Sequence, residues 1–119
     1  FVWTIEHIFP QGDNIPAFWV AMIADGDVKK AKAMQETHVH KLGNLTISGF
    51  NSALGNKSFK DKRDRTDSNG RNVGYRNGLR LNAELATTEA WSVKQIDART
   101  TTLVDEVMSL FTLTGTKAY

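Results

Sequence analysis

Two short stretches of this chain carry residue types that could do chemistry. Glu6 and His7 stand at the end of an apolar stretch that Pro10 stops. An imidazole with an ordinary pKa near 6.5 is a proton acceptor at neutral pH, and a carboxylate beside it is a hard oxygen ligand for a divalent cation. Adjacent side chains on a strand point to opposite faces, so the two meet one ion only where the strand ends or twists. Further on, Gly43, Asn44, Leu45 and Thr46 lead into Asn51, and Lys57 and Lys60 follow. Taken singly, each has a plainer use. A lone His is often structural, Asn44 suits a turn, Asn51 suits a helix cap, and lysines are often just solvated.

The elements that must position these residues can be read from pattern. Residues 1–9 alternate and are rich in β-branched and aromatic types, which predicts a strand. Residues 16–24 predict a short helix with Pro16 in its first turn, broken near Gly26. Asp27 predicts an N-cap for a helix from Val28 to about Gln35. Lys41 to Asn44 read as a turn, Leu45 to Ser48 as a short strand, and residues 49–60 as a loop leading into a helix. Residues 66–78, with Asn69, Gly70, Gly74, Asn77 and Gly78, read as an irregular basic surface segment. Ser92 and Gln95 form a capping box ahead of a helix. Its stripe of Val93, Ile96, Leu103, Val104, Val107, Leu110 and Phe111 is expected to be core.

The chain has 119 residues and no cysteine, enough for one domain and excluding both a disulfide framework and a thiolate zinc site. A hydrophobic fraction of 40% with 24% charged residues excludes global disorder. The longest apolar run, Ala17 to Ala24, is far below the roughly 18 residues of a membrane span, so no membrane partner is expected. The absence of cysteine suits a reducing cytosol. The first residue is Phe1, with no basic segment or cleavage site behind it, and the sequence reads as a piece of a longer polypeptide.

A net charge of +2 conceals an uneven distribution. Residues 1–56 sum to −1, residues 57–80 to +5 and residues 81–119 to −2. The basic block is either a solvated face or a track for backbone phosphates.

Taken together, Ile5, Glu6, His7, Ile8, Phe9 and Pro10, then His40 to Thr46, Asn51, Asn56, Phe59 and Lys60, resemble the HNH nuclease domain at the C-terminus of GmrSD-type restriction enzymes. The C-terminal nickase domain of SspE, from phosphorothioate-linked bacterial defence, is similar. Trp91, Ile96, Arg99 and Leu103 look like the helical tail of this group, so the likeness covers nearly the whole chain. It implies an α+β, mostly helical fold: a two-stranded ββα-metal (His-Me finger) core within about residues 1–65, flanking helices, and a helical part at about 80–113. It implies a single domain over residues 1–119.

The implied function is a metal-dependent DNA endonuclease or nickase, a phosphodiester hydrolase of a bacterial, cytoplasmic anti-phage or modification-dependent restriction system. His7 would be the general base and Asn44 the residue that orients it. Glu6 and Asn51 would hold Mg²⁺ or Mn²⁺, and Lys57, Lys60, Arg63 and Arg65 would contact DNA. His40 matches a family position and is left between metal ligand, DNA contact and structural hydrogen bond. His38 matches none, and Arg99 is expected to pair with an acid or pack its stem. The group's usual N-terminal nucleotide-hydrolysing sensor would be the partner region of the same polypeptide. Many HNH domains carry Asp or His where this chain has Glu6, and some are braced by paired cysteines that it lacks. The competing expectation is a non-catalytic DNA-binding module of a larger defence assembly.

Overall fold

The computed structural model describes residues 3–49 and 54–113. In chain order these form β1 (Thr4–His7), α1 (Ala17–Ala24), α2 (Val28–His38), a 3-10 turn at Leu42–Asn44 and β2 (Leu45–Ser48). Then come α3 (Phe59–Asp64), a 3-10 turn at Arg80–Asn82, α4 (Ala83–Ala86) and α5 (Val93–Leu113). The fold is α+β and mostly helical around one two-stranded antiparallel sheet.

Local rules account for most boundaries. Pro16 stands at the N-cap of α1, and the left-handed Asp25 (φ 52°) ends it. The Asp27 carboxylate accepts from the Lys30 N–H at 3.1 Å and opens α2. That helix runs three residues beyond its expected end because Gln35 is an anchor rather than a terminus. Gln35 is buried, and its amide donates to the carbonyls of Pro10 and Gly12 at 2.8 and 2.9 Å. At α5 the capping glutamine is in place, with Gln95 Oε1 accepting from the Ser92 N–H at 3.0 Å.

The strand is shorter than its sequence pattern. Pairing runs Thr4 with Ser48, Ile5 with Ile47, Glu6 with Thr46 and His7 with Leu45. Beyond His7 the chain leaves the ladder: the Ile8 N–H bonds the Asn44 carbonyl at 2.9 Å, and Ile8 and Phe9 sink into the core. The sheet is also inverted relative to simple patterning. Glu6, Thr46 and Ser48 face inward and are buried, whereas Ile5 and Ile47 are 61% and 40% exposed. The inward polar face is tolerated because its groups are paired, Glu6 with Lys62 and Tyr75 and Thr46 with Asn82.

The core lies between α1, α3, the segment after β1 and the start of α5. Phe9 packs on Trp19 with ring centroids 5.5 Å apart, and Phe59 stacks on Trp91 at 5.5 Å. Leu54, Leu85 and Ile96 fill the space between.

Two expectations are corrected here. Only Ile96 of the α5 stripe is fully buried; Val104, Val107, Leu110 and Phe111 are 45–61% exposed. A 21-residue helix runs about 31 Å, and only its first turns lie against the core. Farther along, Leu103, Val107 and Leu110 share with Ile5, Leu45 and Ile47 a shallow apolar groove of about 380 Å³ on the outer sheet face. The second correction concerns residues 66–78. The segment is irregular, but it is not all surface: Val73, Gly74 and Tyr75 are buried. Backbone bonds from Tyr75 to Lys62 (3.0 Å) and from Val73 to Arg65 (2.9 Å) fold it back onto α3. A Cβ at Gly74 would stand 1.9 Å from the Lys62 carbonyl oxygen, so only glycine permits that approach.

Candidate active site

At the end of β1 the buried acid and the half-buried imidazole both line one polar cleft of about 190 Å³. Ile5, Glu6, His7, Pro10, Gln11, Gly12, Gly55 and Asn56 line it. His7 is half-buried and points its Nε2 at Nδ1 of the exposed His40, 3.2 Å away. Burial holds the His7 imidazole below its ordinary pKa, and the neighbouring His40 and Lys62 push in the same direction. That direction favours the neutral ring, the state a proton acceptor needs.

Asn44 is fully buried. Its Oδ1 accepts from the Phe9 N–H at 2.8 Å and from the Trp91 indole at 3.1 Å. Its Nδ2 donates to the carbonyls of Phe9 and Val39 at 3.0 and 2.9 Å. All four hydrogen-bonding positions of one amide are thus used on backbone and core around His7 and His40. The turn that carries Asn44 is pinned in turn by α5. Arg99, buried at 2% exposure, donates to the carbonyls of Gly43 and Leu45 at 2.8 Å and to Leu81 at 3.0 Å. Arg99 thus has an inward, bracing place, with Glu84 at 3.7 Å. Gly43 is required there: a Cβ on it would lie 2.0 Å from the Ile96 carbonyl oxygen.

Glu6 is engaged on both oxygens. Lys62 Nζ donates to Oε1 at 3.2 Å, and the Tyr75 hydroxyl donates to Oε2. Burial pushes the Glu6 carboxyl up and the Lys62 ammonium down, and each opposes the other's shift by its charge. Tyr75 is raised well above its ordinary value by burial and by the Glu6 carboxylate. Lys62 is wholly buried and spends its other donors on the carbonyls of His7 and Ile8, both at 2.9 Å. Sequence reading missed Lys62 and Tyr75. The available signals were the spacing of Lys62 three residues after the core Phe59, and an apolar Val73 and Tyr75 within a polar segment.

A divalent ion at this cleft has oxygen donors of the right kind. A carboxylate offers about four lone-pair sites, and Lys62 and Tyr75 use two of those on Glu6. Asn56 lines the same cleft, with its Oδ1 3.9 Å from where a Cβ on Gly12 would stand. Asn51 lies outside the described residues. Among the described residues no three His, Asp or Glu side chains gather as a ligand cluster. The donor set is therefore one shared carboxylate with amide oxygens, which suits a hard cation that keeps much of its water.

The expected DNA-contacting residues separate. Lys60 and Arg65 are exposed and Lys57 is half-buried. Arg63 is turned inward at 5% exposure, donating to the Thr88 carbonyl at 2.8 Å and pairing with Asp64 and Glu89. Arg76 pairs with Asp64 at 2.8 Å and Arg71 with Asp67 at 3.5 Å. Much of the +5 block therefore serves the fold. His38, for its part, bonds Thr37, faces Asp97 at 3.5 Å and does not line the cleft.

A two-stranded antiparallel ribbon with a His at its end, a buried Asn bracing the segment that follows it and helices around it make up a small α+β domain. Residues 1–106 match the family described as GmrSD restriction endonucleases, C-terminal domain, and the chain belongs to that family. No curated protein and no solved structure matches it.

Proposed function

We propose that this domain is an HNH-type, metal-dependent DNA endonuclease or nickase that hydrolyses phosphodiester bonds. The observation that carries the reading is His7 at the lip of a polar cleft that Glu6 also lines, its ring 3.2 Å from His40 and the backbone of Phe9, two residues on, held by Asn44. His7 would take the proton from the attacking water, a contribution of about 10²–10⁴-fold. Asn44 would hold the Phe9 backbone, two residues after His7, in register, and Lys62 would tie the turn through the carbonyls of His7 and Ile8.

Glu6 and Asn51 would hold Mg²⁺ or Mn²⁺, and Asn56, which lines the cleft with Glu6, offers a further amide oxygen. Such an ion, when bound, supplies charge stabilisation at the scissile phosphate and the leaving oxygen. Lys57, Lys60 and Arg65 are the cations of the basic block that would meet backbone phosphates, which position DNA without reading its sequence. Family membership supports a restriction role, with DNA as substrate. An N-terminal nucleotide-hydrolysing sensor in the same polypeptide and a bacterial cytoplasmic defence setting complete the proposal.

The test is plasmid nicking. Supercoiled DNA with Mg²⁺ or Mn²⁺ is expected to relax or linearise, EDTA to stop it, and His7→Ala to reduce the rate at least about 100-fold. Equal rates for His7→Ala and the parent protein would remove His7 from the role of base.

A further inference from the structure

We infer that His40 is a positioning residue for His7, accepting the His7 Nε2–H at its own Nδ1 and so leaving His7 Nδ1 with the lone pair. The inference rests on the nuclease reading above and names what sets the tautomer of its base. A neutral imidazole has one N–H and one lone pair, and the partner of one nitrogen decides which nitrogen is which. His7 Nε2 and His40 Nδ1 are 3.2 Å apart, with the rings edge to face at 76° and centroids 5.2 Å apart. Among the described residues nothing else hydrogen-bonds the His7 ring.

Two directions are open to that bond. If His40 donated, the Nε2 lone pair of His7 would be used and Nδ1 would carry the hydrogen, leaving no acceptor for a water proton. If His7 donates, Nδ1 is the acceptor, and after it takes a proton the ring still holds its Nε2–H on His40. Only the second direction is consistent with a base.

The placement of His40 is built, not incidental. Asn44 bonds the carbonyl of Val39, the residue before His40, and both backbone groups of Phe9, two residues after His7. A single buried amide thus fixes the segments that carry both rings. His40 sits 33 residues from His7 in sequence, so nothing local constrains the pair.

The experiment compares His40→Ala with His40→Asn, whose amide oxygen stands where Nδ1 stood. Single-turnover nicking at saturating DNA should fall roughly 10–100-fold in His40→Ala, with DNA affinity within about twofold of the parent. His40→Asn should recover most of the rate. Nitrogen-15 histidine spectra, which need no cleavage, should show His7 as the Nε2–H tautomer in the parent and in His40→Asn, and a mixture in His40→Ala. An Nδ1–H tautomer in the parent protein, or equal rate losses in both variants, overturns the assignment. If the parent protein does not cleave DNA at all, the nuclease reading fails, and the tautomer spectra still decide the role of His40.

Discussion

Lys62 and Glu6 form an ion pair in the interior, 3.2 Å apart, with their side chains 0% and 2% exposed. The pair sits beneath the residue proposed as catalytic base, and Lys62 also bonds the carbonyls of His7 and Ile8. Desolvating two charges is expensive, so such a pair is weak evidence of net stability, but removing one partner strands the other. Here the pair holds a turn of defined shape under the cleft.

From this it follows that Lys62→Met destabilises the fold by about 3–5 kcal/mol, because Glu6 is left charged or protonated without its partner. Adding Glu6→Gln should recover part of that loss. Urea unfolding of the two variants checks it; a loss below about 1 kcal/mol for the single variant would show that the interior adapts.

Asn44→Asp is isosteric but replaces the amide donor with an acceptor. The carbonyls of Phe9 and Val39 then face a carboxylate instead of an N–H. Each group left unsatisfied costs about 1–3 kcal/mol. Thermal unfolding should register the loss, and any nicking activity should fall with it even at temperatures where the variant remains folded. Unchanged activity in a folded Asn44→Asp variant would count against its orienting role.

Acid should weaken the fold through Asp64. Its carboxyl is held well below the ordinary value of 3.8, first by the Arg63 hydrogen bonds and then by Arg76. A folded-state pKa below the unfolded one means that the unfolded chain binds the proton first as pH falls. The stabilisation is therefore complete above about pH 4 and is lost progressively below it. Asp64→Asn should flatten the stability profile below pH 4 while lowering stability at pH 7. Equilibrium unfolding across pH 2–7 reads this directly, and parallel profiles for parent and variant would refute it.

The division of the basic block makes a DNA-binding prediction. Replacing Lys57, Lys60 and Arg65 together by alanine should reduce the slope of log affinity against log salt by roughly 0.9 per lost phosphate contact, up to about 3. Arg63→Met should leave that slope unchanged and instead cost stability, through the stranded Thr88 carbonyl and Asp64. Fluorescence anisotropy on duplex DNA at several salt concentrations separates the two classes. An altered slope in Arg63→Met would place that side chain on the DNA face after all.

Much of the fold was legible because it depends on local signals. Pro16, Asp27, Gln95 and the short β2 run act within a few residues of where they stand, and each appears where its type predicts. The α5 stripe shows the limit of such reading. Periodicity states which side of a helix is apolar, but the neighbouring elements decide how much of that side is covered, and beyond Ile96 the coverage is partial.

The candidate site divides in the same way. Glu6 and His7 could be singled out from residue type and order along the chain, and Asn44 and His40 from the likeness to the family. What they do to one another was set by contacts between residues far apart in sequence: Glu6 with Tyr75 across 69 positions, Lys62 with Glu6 across 56 and Asn44 with Phe9 across 35. A lysine in a basic run looks solvated because charge counting has no knowledge of burial. Only packing reveals that Lys62 and Arg63 are interior ties while Lys60 and Arg65 remain at the surface. The sequence by itself determined the residue types available for chemistry and the local elements that carry them. The tertiary structure alone decided which charges are neutralised within the fold and which ring meets which. Those outcomes depend on desolvation and distance, and neither is a property of a residue taken alone.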